Sequence, residues 1–156
     1  MIGPVSPPAA RAIGSLRYNP LAIVHLRADT DLRGLGYQMG LGERQATRGV
    51  TFNDSLFGRT GVYTSFLGGS RSPEIVDLGD RALGELAAAE FKAVTGYGAA
   101  PMAVFRTAMP AWDDSWRNTR NLQLPDGLFL AANWESRPGI IGRLDQARRL
   151  AALLAG

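Results

Sequence analysis

Few residue types in this chain can do chemistry. It has no cysteine and one histidine, His25. That composition excludes disulfides, thiolate catalysis, Cys-ligated zinc, iron–sulfur centres and multi-histidine metal sites. It also leaves a Ser-His-Asp triad a single histidine to be built on. His25 lies in Leu21-Ala-Ile-Val-His-Leu26, where both alternate faces are apolar, the pattern of a central strand covered on each side. A histidine in such a strand reads as a packed, hydrogen-bonded core residue. Asp113-Asp114 offers two carboxylates. Adjacent acids in a polar turn are the chemistry of helix caps, and no further ligands accompany them for a metal. Glu85 and Glu90 read as solvated helix positions, not a catalytic pair. No catalytic residue and no metal site is assigned.

The stretch with most to offer a ligand is the last. Leu128 to Ala132 is a short apolar run after the turn Pro125-Asp-Gly127, too short for a helix and right for a buried strand. Pro138 suits the first turn of a helix, where its missing N–H would go unbonded anyway. From there Ile140, Ile141, Leu144, Ala147, Ala151 and Leu154 follow a period of ~3.6 residues. The unit reads as strand, polar crossing, helix. The first N–H groups of such a helix are unpaired and carry partial positive charge, which suits an anionic or electron-rich ligand. Gly139 removes a side chain where a flat ligand would need close backbone approach. A plain strand–loop–helix closing a fold has the same pattern.

These stretches must be positioned by the rest of the chain. Met1 to Ala12 is rich in Pro and Ala and reads as an irregular or short helical lead-in. Strands are expected at Leu21–Leu26, Tyr37–Met39, Val50–Phe52, Val62–Leu67 and Met102–Thr107, the fourth ended by Gly68-Gly69. Phe57-Gly-Arg-Thr-Gly61 is a turn that makes a hairpin of its neighbours. Ser72-Pro-Glu has the chemistry of a capped helix start, giving a helix over Pro73–Thr95 with Leu83, Leu86, Ala87, Phe91 and Val94 on its apolar face and Gly96 as its stop. Gly34-Leu-Gly-Tyr-Gln-Met-Gly40 is glycine-rich, but Met39 breaks the Gly-x-Gly-x-x-Gly spacing and no helix follows, so a phosphate-cradling loop is not expected there. The predicted class is α+β: a mixed β-sheet with a covering helix, and Leu128–Ala132 apart from it as part of the C-terminal strand–helix unit.

The chain has 156 residues, 46% of them hydrophobic and 20% charged, the balance of a globular domain that can bury a core. No apolar run approaches the ~20 residues of a membrane-spanning helix, and the start lacks the pattern of a signal peptide, so a cytoplasmic location is the expectation. The net charge is +3, and Lys92 is the sole lysine among seventeen basic residues. Arginine favours bidentate carboxylate and phosphate contacts. The arginines are spread and interleaved with acids, which argues against nucleic acid. Arg143, Arg148 and Arg149 cluster on the final helix and read as a solvated face. Charge alone also allows peripheral contact with anionic lipid headgroups.

Several of these motifs together resemble protoporphyrinogen oxidases, within the flavin amine oxidase superfamily. Leu128-Phe-Leu-Ala-Ala-Asn133, then Pro138-Gly-Ile-Ile141 and Leu144-Asp-Gln-Ala147, resemble without a gap the C-terminal flavin-binding segment of that family. Arg137 and Ala147 stand where the family prefers Gly. Gly34-Leu-Gly-Tyr37 with Glu43 resembles the pattern Gly-Phe-Gly-aromatic-x-x-Pro-x-x-Glu, with Gly40 for the proline. The strand, turn, strand and Gly68-Gly69 block fits as well. Met109-Pro-Ala-Trp112 is an eroded form of a further motif, in which Phe105 replaces a tryptophan. The resemblance runs from about Leu16 onward and corresponds to the C-terminal third of the family. It implies that residues 1–112 are a substrate-domain-like part and residues 113–156 the closing strand and helix of an FAD-binding domain.

The resemblance implies FAD as cofactor, with Asn133 and the Pro138, Gly139 and Ile140 backbone beside the isoalloxazine. There the helix N-terminus would favour negative charge at the pyrimidine end of reduced flavin. It implies a tetrapyrrole substrate, protoporphyrinogen, oxidised to protoporphyrin in haem biosynthesis. The strand–Gly-rich turn–helix that holds a dinucleotide pyrophosphate is not found in these 156 residues. Either a separately encoded N-terminal FAD-binding half supplies it as a partner, or the chain is a remnant or truncated reading frame. The alternative is a non-catalytic binding or assembly domain without flavin.

Overall fold

The computed structural model describes residues 3, 5–120, 122–135 and 139–155. The fold is α+β, with a five-stranded sheet in the order β2-β3-β4-β1-β5. The strands are β1 (Tyr18–Arg27), β2 (Gly36–Gln38), β3 (Thr47–Phe52), β4 (Val62–Gly68) and β5 (Ala100–Pro110). The helices are α1 (Pro7–Gly14), α2 (Asn53–Phe57), α3 (Asp80–Thr95) and α4 (Ile140–Ala155). The chain divides into two compact units, one of Asn19–Met109 and one of Met1–Tyr18 with Pro110–Gly156.

In the first unit, side chains opposite one another on antiparallel strands share a face. Ala22, Val24 and Leu26 stand opposite Leu67, Ser65 and Tyr63, and Val50 and Phe52 continue those rows on β3. This face carries the core. It meets Leu83, Ala87 and Phe91 of α3, all fully buried. Their spacing of four puts them on one helix face. The rings of Phe52, Tyr63 and Phe91 meet in sequence at 5.4 and 5.1 Å. Each large buried side chain contributes about 2 kcal/mol to holding α3 on the sheet. Gly36 is required where it stands: its φ is +134°, and a Cβ there would lie 2.0 Å from the Val50 carbonyl oxygen.

Three expectations change here. The helix foreseen from Pro73 is split into a 3-10 turn over Pro73–Asp77 and α3 from Asp80, and the Ser72 hydroxyl caps neither. The Arg106 guanidinium explains the break, because it takes the Val76 and Leu78 carbonyls at 2.8 and 2.6 Å and Asp80 at 2.6 Å. A continuous helix would need those carbonyls for its own N–H groups. Glu90 is not solvated: its two carboxylate oxygens accept from Ala46 N and Thr47 N, both at 2.7 Å. That clamp fixes the start of β3, which begins at Thr47 instead of Val50. Gly96, at φ +82°, ends α3 as expected.

In the second unit, the Ser6 hydroxyl accepts from Ala9 N at 3.4 Å and caps α1. A 3-10 turn over Asp114–Thr119 packs on α1. The expected strand at Leu128–Ala132 is not formed. A strand exists through a neighbour's backbone groups, and this segment bonds locally instead. Leu128 N donates to Pro125 O at 3.1 Å, and Ala132 N to Glu135 Oε2 at 3.0 Å. The helix of the expected unit is present as α4.

Candidate functional site

The segment that leads into α4 is held by Arg143, Glu135 and Trp116. Arg143, in the second turn of α4, donates from Nη1 to Ala132 O at 2.9 Å and from Nη2 to Asn133 O, while its own N–H donates to Gly139 O at 3.3 Å. It therefore ties Asn133 to the residue that precedes α4. Sequence reasoning placed Arg143 on a solvated face; the structure makes it the staple of the crossing. Glu135 adds a second tie, accepting from Ala132 N and from Gln146 Nε2 of α4. A third comes from Trp116, whose indole N–H donates to the carbonyl of buried Trp134.

Asn133 itself is exposed, in a turn. Gly139 has φ +101°, and nothing lies within 4 Å of where its Cβ would be. Conformation demands glycine there, and the space above it is open. Ile140 begins α4 and is 79% exposed. Asn133, Gly139 and Ile140 are thus brought to one crossing at a helix N-terminus, with Pro138 outside the described residues, as is Arg137. The open glycine and the first N–H groups of α4 fit one edge of a flat, electron-rich ring. Among the described residues no glycine-rich turn into a helix offers a seat for a pyrophosphate.

The apolar stripe of α4 is turned outward. Ile140, Leu144, Ala147, Ala151 and Leu154 fall on one stripe at helical spacing and all are exposed. The half-buried positions are Gly142, Arg143, Gln146 and Leu150. Arg148 pairs with Asp145 at 3.7 Å and, like Arg149, is exposed.

The acid pair resolves as a cap. Asp113 accepts from Ser115 N at 2.8 Å and from its hydroxyl at 2.6 Å, and it pairs with Arg17 at 2.8 Å. The Ser115 hydroxyl, its N–H and the Arg17 charge hold the Asp113 carboxyl below the usual carboxylate range. Asp114 pairs with Arg117 at 3.3 Å. No cluster of three or more metal-ligating side chains occurs among the described residues. No helix among them is long and apolar enough to cross a membrane.

A second polar group was missed by sequence reasoning. On the sheet face away from α3, Thr51 Oγ1 donates to Asn53 Oδ1 at 3.0 Å, and Asn53 Nδ2 donates to Thr64 Oγ1 at 2.7 Å. His25 Nδ1 lies 2.9 Å from the same Thr64 oxygen. The Phe105 ring meets the His25 ring edge-on at 5.5 Å. His25 is half-buried and hydrogen-bonded, as expected, on the sheet face opposite α3. The available signal was the alternation of Val62–Leu67, which puts Thr64 opposite the core-facing Tyr63 and Ser65.

No protein-family model matches the sequence. Among solved structures, the chain is similar in fold to a crystal structure described as "Putative protoporphyrinogen oxidase from Exiguobacterium sp. 255-15". The TM-score is 0.69 at 16% identity, over 92% of this chain and 36% of that one. This chain therefore spans about a third of that protein's length, and what the two share is a fold.

Proposed function

We propose that this chain is the C-terminal part of an FAD-dependent oxidoreductase resembling protoporphyrinogen oxidase, completed by an N-terminal FAD-binding half. The observation that carries the reading is the likeness of 92% of the chain to a segment of a much longer protein of that description. The outward stripe of α4 supports a partner, because a contiguous exposed apolar surface marks a protein interface. When bound, FAD would supply two-electron oxidation of a reduced tetrapyrrole. The chain's own contribution is placement and electrostatics. Gly139 leaves room for close approach, the N-terminus of α4 favours negative charge beside it, and Arg143 keeps the crossing in shape. The pyrophosphate seat would come from the other half. The division at residues 112 and 113 belongs to the same reading, as does peripheral contact with an anionic membrane surface.

A second reading is a binding or assembly domain without flavin. Arg143 favours it, since its guanidinium already occupies the Asn133 carbonyl. Flavin content separates the two. The lone chain should purify colourless or with weakly held FAD; stoichiometric FAD that survives gel filtration of the lone chain would overturn the division of labour. With a complementing half, Gly139→Trp should block flavin seating, while Asp113→Ala with Asp114→Ala leaves it unchanged. Gly139→Ala carries the same backbone strain as Gly139→Trp without the bulk, so it isolates the steric effect. Full flavin content in Gly139→Trp, with the fold intact by circular dichroism, would reject the placement.

A further inference from the structure

Polar atoms sealed inside a fold are almost always hydrogen-bonded. Among the described residues, five side-chain atoms are sealed and bond nothing, and they belong to Tyr37, Gln45, Thr47, Arg48 and Ser65. All lie on β3 as far as Val50, just before it, or opposite it. Tyr37 stands opposite Val50, Val50 opposite Ser65, and Ser65 opposite Val24, so one row crosses four strands. Thr47 stands opposite Leu67 in the next row. Both rows are on the face that α3 covers, and Thr47 and Ser65 are 1% and 0% exposed. The same end of β3 receives Glu90 of α3. Each Glu90 carboxylate oxygen takes one N–H, from Ala46 or Thr47, whereas an ionised carboxylate offers about four acceptor positions. Burial, and then the Glu90 charge, hold the proton on Tyr37, yet the Tyr37 hydroxyl does not bond that carboxylate. Thr47 and Ser65 are diagonal neighbours on β3 and β4, roughly 7 Å apart, and no bond joins their hydroxyls. One water, bonding at about 2.8 Å on each side, spans such a separation once the hydroxyls lean toward it.

We propose that a resident water occupies the seam between α3 and the sheet, held by the hydroxyls of Thr47, Ser65 and Tyr37 and by the Glu90 carboxylate. These groups give it the roughly two to four partners that an internal water takes. The three hydroxyls can donate or accept, and the carboxylate only accepts, which suits a small neutral molecule able to do both. Glu90 then clamps α3 to β3 directly and, through the water, to β4 and β2. The site lies wholly within the sheet unit and needs neither flavin nor a partner, so a failed flavin test leaves it untouched.

The sign of two substitutions separates a hydrated seam from a dry one. Removing a sealed hydroxyl that bonds nothing stabilises a fold, whereas removing one that holds a water leaves the remaining partners short. Thr47→Val keeps the side-chain shape, and Ser65→Ala takes away a single oxygen. Each should lower the urea midpoint, with a loss of about fivefold in the folding equilibrium constant. The double variant should lose less than the product of the two, because both substitutions act on the same water. Oxygen-17 relaxation dispersion of the solvent reports long-lived waters without interference from hydroxyl protons. Its amplitude should fall by about one water from the parent to the double variant. Should that variant fail to fold, the near-isosteric pair Thr47→Val with Tyr37→Phe carries the same comparison. A rise in midpoint for either single variant, losses that simply multiply, or a dispersion amplitude unchanged in the folded double variant would overturn the site.

Discussion

α3 and α4 are the same length, 16 residues each, and both carry an apolar stripe at helical spacing. One is sealed and the other is not. Leu83, Ala87 and Phe91 of α3 are fully buried against the sheet, whereas α4 buries no residue. Its Ile140, Leu144 and Leu154 are 79%, 52% and 61% exposed. Periodicity says which face of a helix is apolar; it does not say whether the surface that covers that face is in the same chain. Among the described residues α3 has such a surface and α4 buries nothing.

Mutation should separate the two helices sharply. Phe91→Ala opens a cavity under α3 and should cost about 3–5 kcal/mol, read as a large drop in the urea midpoint. Leu144→Ala on α4 should stay within about 0.5 kcal/mol of the parent. A comparable loss at both sites would mean that α4 is sealed in solution. Next in size is the clamp that joins α3 to the sheet. Glu90→Ala leaves the Ala46 and Thr47 N–H groups without their acceptor and should cost about 2 kcal/mol, with faster amide exchange at the start of β3. Glu85→Ala, which loses only its exposed pair with Arg81, should be near neutral. Smaller still, Ser6→Ala removes the α1 cap and should cost about 1 kcal/mol.

The sheet unit also has a pH signature. Burial, and then the Glu90 charge, push Tyr37 from 10.0 up to about 12. A raised acid keeps its proton in the fold, so this contribution is whole below pH 10 and is lost as pH rises through about 12. Tyrosinate absorbance should show late-titrating tyrosine, and Tyr37→Phe should remove the part near pH 12, leaving the contribution of Tyr97, which its hydrogen bond to Asp31 also raises.

The sequence was most legible where a local pattern settles the structure by itself. The strands β1, β4 and β5, the glycine stop at Gly96 and the capping use of Asp113 are all of that kind. It was least legible where a residue's role depends on a distant partner. Glu90 looks solvated in its helix because nothing local reveals that two N–H groups of β3 face it. Leu128–Ala132 has the composition of a strand, yet a strand needs an edge to pair with, and here its amides turn to Pro125 and Glu135. Arg106 breaks the helix foreseen from Pro73 across about thirty residues of chain, and Arg143 leaves its expected solvent for two carbonyls. Asn133 and Gly139 are both bonded to Arg143, a link that no local pattern of the sequence reveals.

The most direct test of the account is the flavin content of this chain purified together with a complementing N-terminal FAD-binding half, parent against Ile140→Asp with Leu144→Asp. Those exposed sites leave the lone chain folded, so circular dichroism should not change. The account predicts that FAD co-elutes with the parent pair at one per complex and that the double variant neither associates nor holds the cofactor. A parent pair that elutes colourless, or a double variant that keeps its partner and its full FAD, would contradict it.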